Sequence, residues 1–548
     1  MSSAAISCMR DARLPASGLA RRLAAACLVG IGLISLAACG GQSERDKAAD
    51  SGATPDGRIP YRSGVFSPYQ GLASQCAAPR AGIDPYTNQS YPDTQGSVAS
   101  ENDWLRSWIN DTYLWYSEIP DVDPNGYQTL DYFDLLKTSA VTASGAPKDK
   151  FHFTYPTAEW NALSQSGSST GYGAQWFIIS AQAPREIVVA YVEPNSPAAL
   201  AGVTRGDTVL EIDGADAVNG NSQAIVDTLN QGLAPSARNE THEFLLKDIA
   251  GVSRSVTLKS DVIVSTPVQN VTSIPTGNGL VGYLLFNDHI ATAESELIDA
   301  VTALKTDGVD DLVLDIRYNG GGFLDIASEL AYMIAGPALT SGMTFERIAF
   351  NDKYANTDPV TGQALKPTPF HTTTQDFSAG DGNPLPTLNL SRVFVLTGSG
   401  TCSASESVIN SLRGVGVEVV QIGGTTCGKP YGFYATPNCG TTYFAIQFKG
   451  VNAQGFGDYT DGFSPQNTVG VAGEKVAGCS VADDFSHALG DRNEARLAAA
   501  IGYLESGGAT CPTPPSGPVA QAKTRLSGPS EGFVYRLPWR ENRILRER

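Results

Sequence analysis

Three short segments in the second half of the chain carry residue types that could perform acyl transfer. Ser403 follows an apolar stretch and begins a helical pattern, so we expect its hydroxyl at a helix N-terminus, where unpaired N–H groups can stabilise an oxyanion. A glycine turn at 320–322 follows another apolar stretch and can supply a second backbone donor. Lys429 comes after the next apolar stretch and is directly preceded by a glycine. If this lysine is desolvated, its pKa falls and the neutral amine can act as a general base.

Each segment also has an ordinary structural explanation. Ser403 could be a helix N-cap, with Glu406 as its partner in a capping box. The glycine turn alone is a loop, and Lys429 alone is a surface lysine. A Ser-His-Asp triad is a rival mechanism, and of the five histidines only His289 closely follows a predicted core strand. The order of the three segments within one α/β core favours the serine–lysine interpretation.

The elements that must position these segments are short apolar strands alternating with helices, a pattern typical of a buried α/β sheet. The predicted strands cover residues 281–286, 311–315, 393–396 and 417–422. The predicted helices cover residues 291–306, 323–336 and 403–414. We therefore assign an α/β core to residues 262–505.

A different pattern occupies residues 168–250. The stretch 194–214 contains Ser-Pro-Ala, Ala-Gly and Gly-Asp in an order that resembles the PDZ domain of bacterial proteases. A glycine-rich turn can aim backbone N–H groups at a terminal carboxylate, and the adjacent strand edge can pair with a peptide. The predicted peptide-binding residues are therefore Tyr172, Gly173 and Ala174. A β-hairpin domain with ordinary glycine turns is the alternative.

Composition divides the rest of the chain. Aromatic residues at helical spacing, beginning with Trp104 and Trp108, predict a small helical domain over 101–165. Residues 39–100 are rich in Gly, Ser, Asp and Pro without periodicity, which predicts a flexible tether. Residues 506–548 read as a low-complexity basic tail, because 521–548 contain seven basic and three acidic side chains. We expect a solvated end there rather than an interaction arm.

The first 38 residues read as a targeting segment. Four arginines precede a charge-free apolar run over 23–38, which is too short for a comfortable membrane span. The Leu-Ala-Ala-Cys-Gly ending resembles a bacterial lipobox and implies cleavage before Cys39 and lipid on its thiol. We therefore expect a lipoprotein of the cell envelope facing the periplasm or the cell surface, with Gly40 compatible with outer-membrane sorting. A plain secretory signal and an uncleaved anchor are the alternatives.

Whole-chain composition excludes several classes. With 42% hydrophobic and 17% charged residues, the 548-residue chain is neither disordered nor a coiled coil. A net charge of −18 argues against non-specific nucleic-acid binding. Six of the nine cysteines remain outside the leader and the lipid position, which permits disulfides in an exported chain. Cys402 and Cys427 could pair with each other, Cys427 could pair with Cys439, or they could remain free. The absence of metal-ligand spacing predicts no zinc site.

Taken together, the motifs resemble those of the carboxyl-terminal processing (tail-specific) serine peptidases. That family pattern is approximately D-L-R-x-N-x-G-G, then S-A-S-E, then G-x-x-T-x-G-K, behind a helical and a PDZ domain. The resemblance covers residues 100–500 and implies a crotonase/ClpP-like β-spiral core. Position by position it implies Ser403 as nucleophile, Lys429 as base, Gly321 and Ala404 as oxyanion donors, and Glu406 as an ordering carboxylate.

This resemblance implies a serine endopeptidase of the bacterial cell envelope, without a cofactor, that cleaves proteins at or near their C-terminal tails. The PDZ domain would present the tail to the cleft. Two alternatives belong to other classes. One is an inactive protease-like PDZ scaffold that binds the tails of envelope proteins, and the other is a crotonase-like enzyme acting on thioesters.

Overall fold

The structure, a computed structural model, describes residues 58–515, 533–534 and 543–545. The predicted signal peptide and Cys39 lie outside the described residues. The described residues belong to one compact unit. Among them, no helix combines the length and apolar character that a membrane crossing requires.

The first described region is anchored to the core. Its elements are β1 (Gln75–Cys76), β2 (Thr94–Gln95), α1 (Val98–Thr112), α2 (Thr129–Leu135), β3 (Phe153–Pro156) and α3 (Thr157–Ser166). Helix α1 begins where the Ser97 hydroxyl accepts a hydrogen bond from the N–H of Ser100. Its Trp104 and Trp108 rings are stacked 5.3 Å apart, and both contact Tyr443 of the α/β core. The predicted helical region therefore shares its hydrophobic core with the α/β domain.

The predicted tether over 39–100 is wrong for the part that the structure describes. Cys76 forms a disulfide with Cys439, and the Arg80 guanidinium makes two 2.8 Å hydrogen bonds to Asp93. A crosslink and an ion pair fix this irregular segment. Neither leaves a periodic apolar pattern in the sequence, so the composition alone indicated flexibility.

The PDZ region forms an antiparallel sheet. Its elements are β4 (Ser168–Gly171), β5 (Ala174–Ser180), β6 (Glu186–Val192), α4 (Pro197–Leu200), β7 (Thr208–Ile212), β8 (Ala215–Asp216), α5 (Gln223–Leu233), β9 (Thr241–Lys247) and β10 (Ser253–Lys259). The strand order is β10-β9-β7-β6-β5, with β8 paired to β7. The region ends at Lys259 rather than at residue 250, because β10 completes the sheet against β9.

The α/β core follows directly. Its elements up to the nucleophile segment are β11 (Asp261–Val264), β12 (Val268–Thr276), β13 (Gly279–Phe286), α6 (Ala293–Asp307), β14 (Asp311–Asp315), β15 (Gly322–Phe323), α7 (Leu324–Ala335), α8 (Pro337–Thr340), β16 (Thr344–Ala349), β17 (Thr368–Pro369), β18 (Thr373–Gln375), β19 (Asp381–Pro384) and β20 (Arg392–Thr397). The remaining elements are α9 (Ala404–Gly414), β21 (Glu418–Gly423), β22 (Tyr431–Gly432), β23 (Thr436–Asn438), β24 (Thr441–Phe444), β25 (Phe448–Val451), β26 (Phe463–Pro465), β27 (Glu474–Val476), β28 (Gly478–Ser480) and α10 (Ala495–Glu505). These bounds confirm the predicted core strands and helices.

The central sheet has the order β12-β13-β14-β20-β21-β28, and every pair except β12–β13 is parallel. Side chains of α6, α7 and α9 cover one face, and α10 covers the other. Burial on both faces explains why these strands read as continuous apolar runs. Strands β14, β20 and β21 end at the same edge, which brings the three predicted segments together.

The predicted tail is partly structured. Cys511 forms a disulfide with Cys479, and two short strands, β29 (Phe533–Val534) and β30 (Arg543–Ile544), pair with β5 and β15. The prediction of a merely solvated end is therefore wrong for these residues. A crosslink and backbone pairing leave no periodic hydrophobic signal in the sequence.

Candidate active site

Ser403 occupies a strained junction between β20 and α9. Its backbone has φ 60° and ψ −111°, a left-handed conformation that costs a residue with a Cβ about 1–3 kcal/mol. The side chain is fully buried, and its Oγ has no hydrogen-bond partner among the described residues. Strain of this kind persists only where the surroundings enforce it, and it is characteristic of functional positions.

Glu406 connects the backbone around Ser403 to the backbone around Lys429. Its carboxylate accepts the Ser403 N–H at 2.9 Å, which is one half of a capping box, whereas the Ser403 Oγ makes no reciprocal bond among the described residues. The same carboxylate accepts the N–H groups of Gly428 and Lys429, each at 2.8 Å, and the Thr426 hydroxyl at 2.5 Å. Burial raises the pKa of Glu406, and these hydrogen bonds oppose that shift. One carboxylate therefore fixes both segments.

Lys429 is completely buried between two aromatic rings. Its Nζ lies 4.5 Å from the ring centroids of Phe151 and Phe433. Burial disfavours the charged form of an amine, whereas aromatic faces favour it. Phe151 belongs to the N-terminal region, so that region forms one wall of the lysine site.

Asn319 attaches the glycine turn to the nucleophile segment. Its carbonyl accepts the Cys402 N–H at 3.0 Å and the Ser405 hydroxyl at 3.1 Å. Its side-chain oxygen accepts the N–H of Gly321 at 2.9 Å, so this predicted oxyanion donor is engaged in the structure. Ala404, the other predicted donor, is buried at the first position of α9. A full oxyanion hole therefore requires Asn319 to release Gly321.

The backbone of His289 is hydrogen-bonded to the glycine turn, because its N–H donates to the Gly321 carbonyl at 3.0 Å. Its Nδ1 lies 3.0 Å from the Asn319 side-chain oxygen, and its Nε2 has no hydrogen-bond partner within the described part of the chain. Burial lowers the pKa of His289 to about 3. A Cβ at Gly322 would lie 2.2 Å from the His289 carbonyl oxygen, so this close approach requires glycine. A triad histidine contacts a serine and a carboxylate, whereas His289 contacts an amide.

A disulfide between Cys402 and Cys427 flanks the site, with 5.1 Å between the Cα atoms. The pairing that the sequence left open is therefore Cys402 with Cys427. With Glu406, the two sulfurs place three potential metal-ligand atoms within 4.8 Å of one another. The sulfurs are bonded to each other in this form, so they are not thiolate ligands. The bridge covalently ties the segment before Ser403 to the segment before Lys429.

We expect the Cys402→Ser, Cys427→Ser double variant to lose about 10- to 100-fold in kcat, because small displacements of catalytic groups are costly. Opening a loop with 25-residue separation should also cost about 3 kcal/mol of stability. Peptide hydrolysis and thermal unfolding measure the two effects. The Cys479→Ser, Cys511→Ser variant is the matched control, because that bridge has a similar separation of 32 residues. Equal kcat losses in both variants would contradict a positioning role.

The segment before the glycine turn is bound to the PDZ region. Arg205 donates to the Tyr318 hydroxyl at 2.6 Å and to Asp483 at 2.8 Å. Arg317, completely buried, also donates to Asp483 at 2.8 Å. Burial opposes ionisation of Asp483, but Arg496, Arg205 and Arg317 hold its pKa well below the usual range. This buried charge network joins the two domains close to the turn.

The predicted peptide-binding turn lies beside a large cleft. The cleft has a volume of about 640 Å³ and is lined by the turn, the end of α5 and part of α3. The Tyr172 side chain is buried with its ring against Phe244, so only the backbone of Tyr172 could serve a peptide. Gly173 has φ 78°, and a Cβ there would lie 2.2 Å from the Ser196 Cβ. Ala174 begins β5 and pairs with Val192.

Several contributors to the site escaped the sequence analysis. Asn319 directly precedes the glycine turn at 320–322, and this position in the motif could have indicated its role. Phe151 had no such signal, because it is distant in the chain from Lys429. Phe433 was hidden within an apolar stretch.

Comparison with known proteins identifies the class to which this core and its PDZ sheet belong. Residues 280–434 match peptidase family S41, residues 100–151 match the S41 N-terminal domain, and residues 188–230 match a PDZ domain. The α/β core, the N-terminal region and the PDZ region are therefore each similar to the corresponding part of an S41 peptidase.

Individual relatives agree with this assignment. A carboxyl-terminal-processing protease of Picosynechococcus is 31% identical over 176 residues, covering 31% of this chain and 39% of its own. Carboxyl-terminal-processing peptidase 1 of Arabidopsis thaliana chloroplasts is 29% identical over 240 residues, covering 43% and 42%. The chain thus spans less than half the length of these relatives. The structure of an S41 protease from Bacteroides fragilis has the same fold, with 24% identity, a TM-score of 0.54 and coverage of 77% of this chain and 99% of that one.

Proposed function

We propose that the chain is a serine endopeptidase that cleaves proteins at or near their C-terminal tails with a Ser403–Lys429 dyad. The observation that carries this proposal is the Glu406 carboxylate, which accepts backbone N–H groups from both residues. A carboxylate in that position holds a buried hydroxyl and a buried amine in one site. The strained backbone at Ser403 supports the same function.

In the proposed reaction the Ser403 hydroxyl attacks the scissile carbonyl carbon while its proton passes to the Lys429 amine. The Ala404 N–H, and the Gly321 N–H once Asn319 releases it, stabilise the oxyanion. The leaving amine takes the proton from Lys429, which leaves an acyl group on Ser403. Water attacks this ester and gives a proton to Lys429. When the intermediate collapses, Lys429 returns that proton to the Ser403 oxygen, which releases the carboxylic acid and restores both residues.

In this proposal the PDZ region selects the substrate, and the N-terminal leader determines where in the cell the enzyme is located. The free C-terminal tail of a protein would bind at the turn of Tyr172, Gly173 and Ala174, beside the cleft. The charge network through Arg205 connects that region to the glycine turn. Lipid on Cys39 would hold the enzyme on a membrane of the cell envelope, facing the periplasm or the cell surface.

Covalent labelling tests the proposed nucleophile. A fluorophosphonate should add once to the wild-type chain, and peptide mapping should locate the adduct on Ser403. The Ser403→Ala variant should neither be labelled nor cleave a tailed reporter, while it retains a cooperative unfolding transition.

Ser411→Ala is the matched control, because Ser411 is also buried on α9 and its Oγ has no hydrogen-bond partner among the described residues. It should be labelled like the wild type. Undiminished cleavage by Ser403→Ala would refute the dyad. A wild-type chain that binds tails without labelling or cleavage would instead be a scaffold.

A further inference from the structure

The C-terminal strand β29 extends the PDZ sheet at its edge. Phe533 pairs with Ile178 and Val534 pairs with Phe177, antiparallel to β5. Strand β5 leads directly out of the turn that is predicted to bind peptide. The chain's own tail therefore uses the backbone groups that an added peptide strand would use.

The second strand, β30, lies in the peptidase domain beside the proposed site. Arg543 pairs with Gly322 and Ile544 pairs with Phe323. On its other side, Ile544 forms a bridge with Phe433. Strand β30 therefore lies between the glycine turn and the chain that follows Lys429. The paired residues Gly322 and Phe433 follow Gly321, a proposed oxyanion donor, and Lys429, the proposed base, by one and four residues, so β30 lies beside both segments.

Ile544 fills an apolar position in this gap. Its exposed fraction is 4%, and it belongs to the hydrophobic cluster that includes Cys402, Tyr431 and Phe433. It also lines a small pocket with His289 and Gly321. Burial of this branched aliphatic side chain stabilises the docked strand.

The two docking positions are compatible with one continuous segment. The rings of Phe177, beside β29, and Tyr318, just before the glycine turn, lie 6.3 Å apart. The residues between the two strands, 535–542, can span about 25 Å when extended. The tail also has seven basic and three acidic side chains over 521–548, whereas the whole chain has a net charge of −18. Attraction between opposite charges favours docking of the tail on its own body.

We propose that strands β29 and β30 act as a tethered ligand that blocks the PDZ edge and the peptidase cleft of their own molecule until a substrate displaces them. This inference rests on the proposed function, according to which the peptidase cleft accepts the tails of proteins. Each strand is short, but a covalent tether gives a local concentration in the millimolar range, so weak contacts suffice.

Kinetics of a chain that ends at residue 515 test the proposal, and this chain retains Cys511. We expect its KM for a tailed reporter to fall at least about 10-fold while kcat changes less than about 2-fold, since a tethered competitor is removed. Full-length Ile544→Asp should show the same direction of change. A full-length variant with residues 517–530 in shuffled order should behave like the wild type. An active truncated chain with unchanged KM overturns the proposal and leaves the proposed function standing.

Amide hydrogen exchange of the Ser403→Ala variant supplies a readout that does not depend on activity. Exchange at residues 177–178 and at 322–323 should be at least about 10-fold faster in the shortened chain, because the paired strands are gone. Faster exchange without any peptidase activity in the Ser403-containing chain would support the tethered ligand and refute the peptidase. Identical exchange in the full-length and shortened chains would overturn the tethered ligand.

Discussion

Replacement of Lys429 by methionine should lower kcat for peptide hydrolysis at least about 10⁴-fold, a loss of the size that removal of the general base causes in Ser-His-Asp proteases. Methionine is unbranched and apolar, so it can fill the space between Phe151 and Phe433. It cannot accept the proton of Ser403. The loss should therefore appear in kcat and not in folding, which circular dichroism and thermal unfolding would monitor.

Two further variants test whether the loss of kcat reflects removal of the base. Lys429→Arg should also be inactive, because a guanidinium stays protonated and cannot act as a base. Lys353→Met is the matched control, since the Lys353 Nζ lies 3.8 Å from the Tyr116 ring centroid on the protein surface. It should retain wild-type kcat. Residual activity above about 1% in Lys429→Met would show that another group accepts the proton.

The sequence could predict the elements that depend on local periodicity. Strands β13, β14, β20 and β21 are buried on both faces, so their apolar runs stand out against the polar turns between them. Because parallel strands end at one edge, the order of the motifs also predicted that Ser403, the glycine turn and Lys429 would come together.

Features that depend on long-range pairing could not be predicted in the same way. Residues 58–97 are fixed by the Cys76–Cys439 bridge and by paired charges, which leave no periodic pattern. The contact between Phe151 and Lys429 joins distant parts of the chain. The engagement of Gly321 by Asn319 depends on a side-chain orientation that spacing does not specify. These are properties of packing rather than of local sequence.

Glu406 is the position where a nearly isosteric change should separate positioning from chemistry. In Glu406→Gln, an amide NH₂ replaces one carboxylate oxygen and faces backbone N–H groups that need an acceptor. We expect kcat to fall about 10²- to 10³-fold, because the Ser403 and Lys429 segments lose their common anchor. KM should change less than about 3-fold, since Glu406 is completely buried and its oxygens are engaged by hydrogen bonds from the protein.

Glu294→Gln is the matched control for this change. The Glu294 carboxylate is also buried and accepts backbone N–H groups, from Gln375, Phe377, Ser378 and Ala379. Both variants should lose about 1–3 kcal/mol of stability, because each leaves buried donors without an acceptor. Only Glu406→Gln should lose kcat. If the two variants lost kcat equally, Glu406 would merely stabilise the fold, and the single carboxylate that unites the proposed serine and lysine would no longer support the dyad.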